Sequence, residues 1–139
     1  MPDEKELKIL NALRENSRSS IRELAKKTGL RPSTVHLKIK KLKKESVIER
    51  FTVKLNNKAV GENFIVFLLI KTKNEIKSSV FKDSHIKEVF GVTGEYDVLI
   101  KLKFKDIDEF NDFIIKFRKE QEPEATLSLV ATINLKEEI

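Results

Sequence analysis

Between Arg31 and Lys44 the chain carries six cationic side chains, Arg31, Lys38, Lys40, Lys41, Lys43 and Lys44, and no acidic one. Val35, Ile39 and Leu42 recur in the same stretch at i, i+4 and i+7, the spacing of one buried helix stripe. At about 100° per residue, the opposite side presents Ser33, Leu37, Lys40 and Lys44. Thr34 and Lys41 flank them, and Lys38 lies nearer the buried stripe. Ammonium and guanidinium groups take phosphate oxygens or guanine acceptors, and small hydroxyls early in a helix reach base edges. Leu37 could touch a thymine methyl, but single exposed leucines and solvated lysine faces are also common on ordinary helices. The surroundings must decide.

A second candidate set is Gly94-Glu95-Tyr96-Asp97. Asp97 could accept a ligand ammonium, and backbone N–H groups around Gly94 could hold a carboxylate. The same residues suit a plain turn, with glycine supplying positive φ and aspartate bonding the backbone. Tyr96 fits a core, a subunit contact or a ligand wall, and spacing leaves these open. Catalytic chemistry finds no footing. There is no cysteine, and His36 and His85 lie far apart. No Ser/His/Asp set, phosphate-binding glycine loop or metal cluster is present. Asp106, Asp108 and Glu109 stand where helix capping explains them. We therefore expect no enzyme, no metal and no cofactor.

The elements that must position these residues follow from caps and periodicity. Asp3 with Glu6 forms a capping box, and Leu7, Ile9, Leu10 and Leu13 follow at helical spacing, predicting a first helix over about 3–15. Ser20 with Glu23 repeats the signal before Ile21, Leu24 and Ala25, and Gly29 closes that helix. Pro32 suits the first turn of a third helix. Two short helices joined by a glycine turn are the motif whose second helix enters the major groove. Val47 to Val53 is rich in β-branched residues and reads as a strand or wing.

The rest reads strand, helix, strand, strand, helix, strand. Phe64–Thr72 is an apolar run expected to be buried on both faces. A weak helix is expected over Glu75–Lys82 and a strand over Ile86–Thr93. A half-buried strand runs through Val98 to Phe104. A helix capped by Asp106 carries Ile107, Phe110, Phe113, Ile114 and Phe117. A last strand alternates from Ala125 to Leu135. This order is that of a ferredoxin-like split βαβ unit, in an α+β chain.

Charge divides the same way. Residues 1–60 hold sixteen Lys and Arg against seven Asp and Glu, a net of +9, whereas 61–139 are net −3. A basic half suits a polyanion, and a mildly acidic half suits another task. We expect a winged helix-turn-helix over 1–52, a linker over 53–62 and the ferredoxin-like part over 63–139. The longest apolar run, Phe64–Ile70, is too short to span a bilayer, which takes about 20 helical residues. With no leader-like stretch at the N-terminus, a cytoplasmic protein without membrane contact is expected.

The segments Ile21-Arg22-Glu23-Leu24-Ala25-Lys26-Lys27-Thr28-Gly29-Leu30, Pro32-Ser33-Thr34-Val35 and Val47-Ile48, together with Val92-Thr93-Gly94-Glu95-Tyr96-Asp97-Val98-Leu99, resemble the leucine-responsive and asparagine-synthetase regulator (Lrp/AsnC) family over nearly the whole chain. The resemblance implies a winged helix on a βαββαβ ligand-sensing domain. It also implies dimers formed through that domain, often assembled into tetramers or octamers, and an amino-acid-like effector held between neighbouring dimers. By it, Arg31, Ser33, Thr34, Leu37, Lys38, Lys40, Lys41 and Lys44 would face double-stranded DNA, and Gly94, Tyr96 and Asp97 the effector. The chain departs from the family pattern in four places, the first being Lys38 where an arginine is frequent. Arg31 replaces a usual serine cap, Ser46 replaces a usual glycine, and Lys73–His85 is short for the sensing domain's first helix. An architectural DNA-binding protein without effector, and a metabolite-binding regulatory subunit, are the alternatives.

Overall fold

A computed structural model describes residues 1–139. They divide into two compact units, one of Met1–Lys54 and one of Leu55–Glu138.

The first unit is three helices. In α1 (Glu4–Glu15) the Asp3 carboxylate accepts the Glu6 N–H at 2.7 Å, and the Glu6 carboxylate accepts the Asp3 N–H at 3.1 Å. In α2 (Ile21–Thr28) Ser20 and Glu23 repeat this box, and Gly29 at φ 73° ends the helix. α3 (Pro32–Lys44) begins at Arg31, which makes no side-chain capping bond. Ile9, Ala12, Leu13, Leu24, Ala25 and Val35 pack into one core, with Ile21, Leu30, Ile39 and Ile48 against it.

The expected strand or wing over Val47–Val53 does not form. The N–H groups of Val47 and Ile48 both donate to the Leu42 carbonyl, closing α3 instead. Ser46, where the family pattern has glycine, takes φ 58°, the left-handed conformation that glycine adopts without a Cβ penalty. Beyond it the backbone has no neighbouring strand, and β propensity without a ladder partner makes no sheet.

The second unit is a four-stranded antiparallel sheet, β1 (Phe64–Lys71), β2 (Ile86–Gly91), β3 (Val98–Phe104) and β4 (Ala125–Val130), in the order β2-β3-β1-β4. One face is covered by α4 (Ile107–Gln121). Val66, Leu68, Ile70, Ile100, Leu102 and Phe104 meet Phe110, Ile114 and Phe117 there. β1 is therefore not buried on both faces. Its burial alternates from Val66 onward, with Phe67 and Leu69 only half covered on the far side and Ile65 alone buried there, because α4 supplies a single layer.

The expected helix over Glu75–Lys82 shrinks to a 3-10 turn at Val80–Lys82. Gln121, buried at the end of α4, takes its place as an anchor. Its Oε1 accepts the Lys77 N–H at 3.1 Å, and its Nε2 donates to the Glu75 carbonyl at 2.9 Å. These bonds fix 75–77 in a non-helical course. The strands expected to reach Thr93 and Leu135 stop at Gly91 and Val130, where the ladders lose their partners.

Residues 131–138 return across the far face and end in a charge cluster. Glu137 Oε2 lies 2.5 Å from Lys101 Nζ and 3.0 Å from Lys103 Nζ, and Oε1 accepts from the Asn57 amide at 3.0 Å. Burial opposes ionisation of Glu137, but Lys101, Asn57 and Lys103 outweigh it and hold the carboxyl at about 2. A depressed carboxyl contributes stability above its unfolded value and loses it as pH falls through the folded one. Glu137→Gln is therefore expected to cost about 1–3 kcal/mol at neutral pH. The difference from wild type should fade between pH 4.5 and about 2. Urea unfolding across that range checks it, and a gap constant with pH would contradict the ion pairing.

Candidate nucleic-acid interface

The stripe of Val35, Ile39 and Leu42 turns one side of α3 inward, with Val35 and Leu42 fully buried. The opposite side is open. Arg31, Ser33, Leu37, Lys40 and Lys44 are exposed and Thr34 is half-buried. Leu37 is 64% exposed, high for a leucine with only solvent to meet. Hydroxyls thus lead the helix and ammonium groups follow about two and three turns later, as a rod laid in a groove between two phosphate walls needs.

Two of the lysines stand apart. Lys38 Nζ lies 2.7 Å from Asp3 Oδ2 and 3.9 Å from Glu6 Oε1, and Lys41 Nζ lies 3.5 Å from Glu6 Oε2. The hydrogen bond from Lys38, then the Glu6 N–H, hold Asp3 at about 2. The same bond to Asp3 raises Lys38. Lys43 instead points at the Phe51 ring, 5.7 Å from its centroid. Asp3 and Glu6 are partners that the α3 pattern does not reveal. The one sequence signal was a capping box with two carboxylates at the start of α1, two helices before the lysine-rich α3.

The second candidate set is a turn. The Asp97 N–H donates to the Ile70 carbonyl at 2.8 Å, and the Asp97 carbonyl accepts the Val92 N–H at 2.9 Å. Asp97 Oδ2 accepts the Thr72 N–H at 2.9 Å, tying the turn to the end of β1. Gly94 has φ 131°, a conformation closed to other residues, and Tyr96 is half-buried. Gly94, Tyr96 and Asp97 are together on this turn, and one Asp97 oxygen is already engaged.

A basic three-helix unit that presents its third helix, followed by an antiparallel sheet domain, defines a two-part helix-turn-helix regulator. Residues 2–49 match the family described as winged helix-turn-helix DNA-binding, and residues 65–138 the family described as Lrp/AsnC ligand binding domain. The chain belongs to the Lrp/AsnC family, whose members regulate transcription and are not enzymes. It is 38% identical to the HTH-type transcriptional regulator FL11 of Pyrococcus furiosus over 116 residues, covering 81% of this chain and 77% of that one. The fold matches the AsnC family transcriptional regulator from Agrobacterium tumefaciens with TM-score 0.92 at 25% identity, over 99% of this chain and 94% of that one. It also matches NMB0573 of Neisseria meningitidis, solved as an L-Met complex, with TM-score 0.89 at 23% identity over 99% and 94%. That second likeness is one of fold.

No helix of the chain is long and apolar enough to cross a membrane.

Proposed function

We propose that this chain regulates transcription by laying α3 in the major groove of double-stranded DNA. The carrying observation is the open side of α3, where Ser33 and Thr34 precede Lys40 and Lys44 opposite a fully buried stripe. In this reading residues 1–52 bind DNA, 53–62 connect, and 63–139 assemble the regulator and sense an effector. Ser33, Thr34 and Leu37 read base edges. Arg31, Lys40 and Lys44 take phosphates, with Lys41 beside them held by Glu6, and the place of action is the cytoplasm. Lys40→Ala is expected to weaken binding to all duplexes alike. Ser33→Ala and Thr34→Ala are expected to change which duplex is preferred. Anisotropy titrations on a panel of duplexes measure both, and the opposite division of effects would invert the roles.

A homodimer, with the two-fold operator it entails, is supported by the far face of the sheet. Leu127 and Leu129 of β4 point away from α4, and Thr126 and Ser128 point toward it. Phe90 and Leu129 are 55% and 50% exposed there, beside half-buried Phe67, Leu69 and Leu99. A contiguous apolar sheet face of this kind is what a second copy would cover. Tetramers or octamers would build on that dimer.

An amino-acid-like effector near Gly94, Tyr96 and Asp97 is supported by the family's sensing domain and by the L-Met complex of the Neisseria protein. Calorimetry against the standard amino acids is expected to show one binder, with affinity reduced in Asp97→Ala. Binding unchanged in that variant would move the site elsewhere. No binding at all would favour an architectural protein without effector.

A further inference from the structure

We propose that Lys38 is not a DNA contact but a positioning residue, which with Asp3 and Glu6 sets the orientation of α3 for sequence readout. The inference rests on the DNA-binding reading above and assigns Lys38 a different part in it.

The geometry differs from that of a phosphate-seeking lysine. The Lys38 side chain is only 23% exposed, and its ammonium meets Asp3 at 2.7 Å with Glu6 behind at 3.9 Å. Glu6 is 3% exposed, and a carboxylate so enclosed is costly unless paired and hydrogen-bonded. It has both kinds of partner, the Asp3 N–H on its own helix and the ammonium of Lys41 on α3. The acids are fixed as well, because they form the box that starts α1. A rigid helix start on one element thus grips two consecutive turns of the other.

Such a grip adds what the core lacks. Apolar packing of Val35, Ile39 and Leu42 is non-directional and tolerates small rotations of α3 about its axis. Charged hydrogen bonds have direction and fix that rotation. The angular setting of α3 decides whether Ser33 and Thr34 meet base edges. It matters far less to lysines reaching for phosphates along the groove wall. Loss of the grip should therefore lower discrimination between sequences more than overall affinity.

The test uses the full chain with Asp3→Asn, Lys38→Met, the double variant and Lys38→Arg. Asparagine caps a helix as well as aspartate, so Asp3→Asn removes the charge and keeps the start of α1. Thermal melting confirms that each variant is folded at the assay temperature. Each is titrated with a duplex that the wild type selects from a random pool and with a random duplex of equal length, at several salt concentrations.

The ratio of the two affinities is expected to fall about two- to fivefold in both single variants, the scale of one partly exposed ion pair. It should fall no further in the double variant and recover in Lys38→Arg. The salt slope should stay that of the wild type. If Lys38 instead contacts phosphate, Lys38→Met shallows the slope by about 1.8 for a dimer, and Asp3→Asn tightens binding by freeing the lysine. That result, or a ratio unchanged in both single variants, overturns the proposal while leaving DNA binding intact. A wild type that selects no duplex at all overturns both.

Discussion

Raising the salt from about 50 to about 200 mM is expected to weaken binding of the full chain to its preferred duplex by about three orders of magnitude. Arg31, Lys40 and Lys44 are exposed on the open side of α3. In a dimer they provide six cations facing phosphates. Each neutralised phosphate releases condensed counterions and contributes about −0.9 to the slope of log K against log salt, giving a slope near about −5. Lys38 and Lys41 are left out of that count because Asp3 and Glu6 already pair with them. A slope near zero would contradict the phosphate contacts. A slope well beyond this value would bring further cations, such as Lys26 and Lys27 of α2, into the interface.

Leu129→Asp is expected to abolish the dimer at micromolar concentration. Leu129 pairs with Phe67 across β1 and β4, and Leu127 with Leu69, so the four side chains share one face of the sheet. Phe90 and Leu99 continue it through β2 and β3. A two-fold interface meets the substitution twice. Each buried leucine contributes about 1.5–3 kcal/mol, and a buried unpaired carboxylate adds a penalty. Together these raise the dissociation constant by at least about 100-fold. Sedimentation equilibrium measures it. A wild type with the mass of one chain, or a variant that dimerises as tightly as wild type, would contradict assembly through this face. Leu129→Asp should also weaken DNA binding, since a monomer reaches only one half-site. The operator of such a dimer is expected to be two-fold, with half-sites about 34–36 Å apart or a multiple of that.

The three N-terminal helices were legible because their signals are local. Asp3 with Glu6 and Ser20 with Glu23 form the capping boxes that their spacing predicts, and Gly29 closes α2 as expected. The strand order of the second unit was legible from alternation and from the Asp106 cap of α4. What failed depended on distant partners. Val47–Val53 has strand composition but no strand beside it. Glu75–Lys82 gave way to a course set by Gln121, more than forty residues on. Alternation in β4 was plain, but not that Thr126 and Ser128 would face the helix and Leu127 and Leu129 the open side. That choice is fixed by register against β1, not by β4 itself.

The candidate interface divides similarly. The angular placement of Ser33, Leu37, Lys40 and Lys44 follows from helix period and is found as read. Lys38 is half-buried, as its place nearer the buried stripe implies, and what the sequence did not reveal is its partner. Its partner at position 3 lies 35 residues away, beyond any local pattern. Glu137 went unnoticed for the same reason. Lys101 and Lys103, two apart on a strand, share a face and call for a counter-charge, but only the folded tail shows which residue supplies it.

The most direct test is selection of bound duplexes from a random double-stranded pool by the full wild-type chain, followed by sequencing. Sequence-specific binding through α3 predicts enrichment of a two-fold related motif, and a Ser33→Ala, Thr34→Ala double variant that enriches a different one. A bound pool indistinguishable in sequence from the starting pool would contradict it.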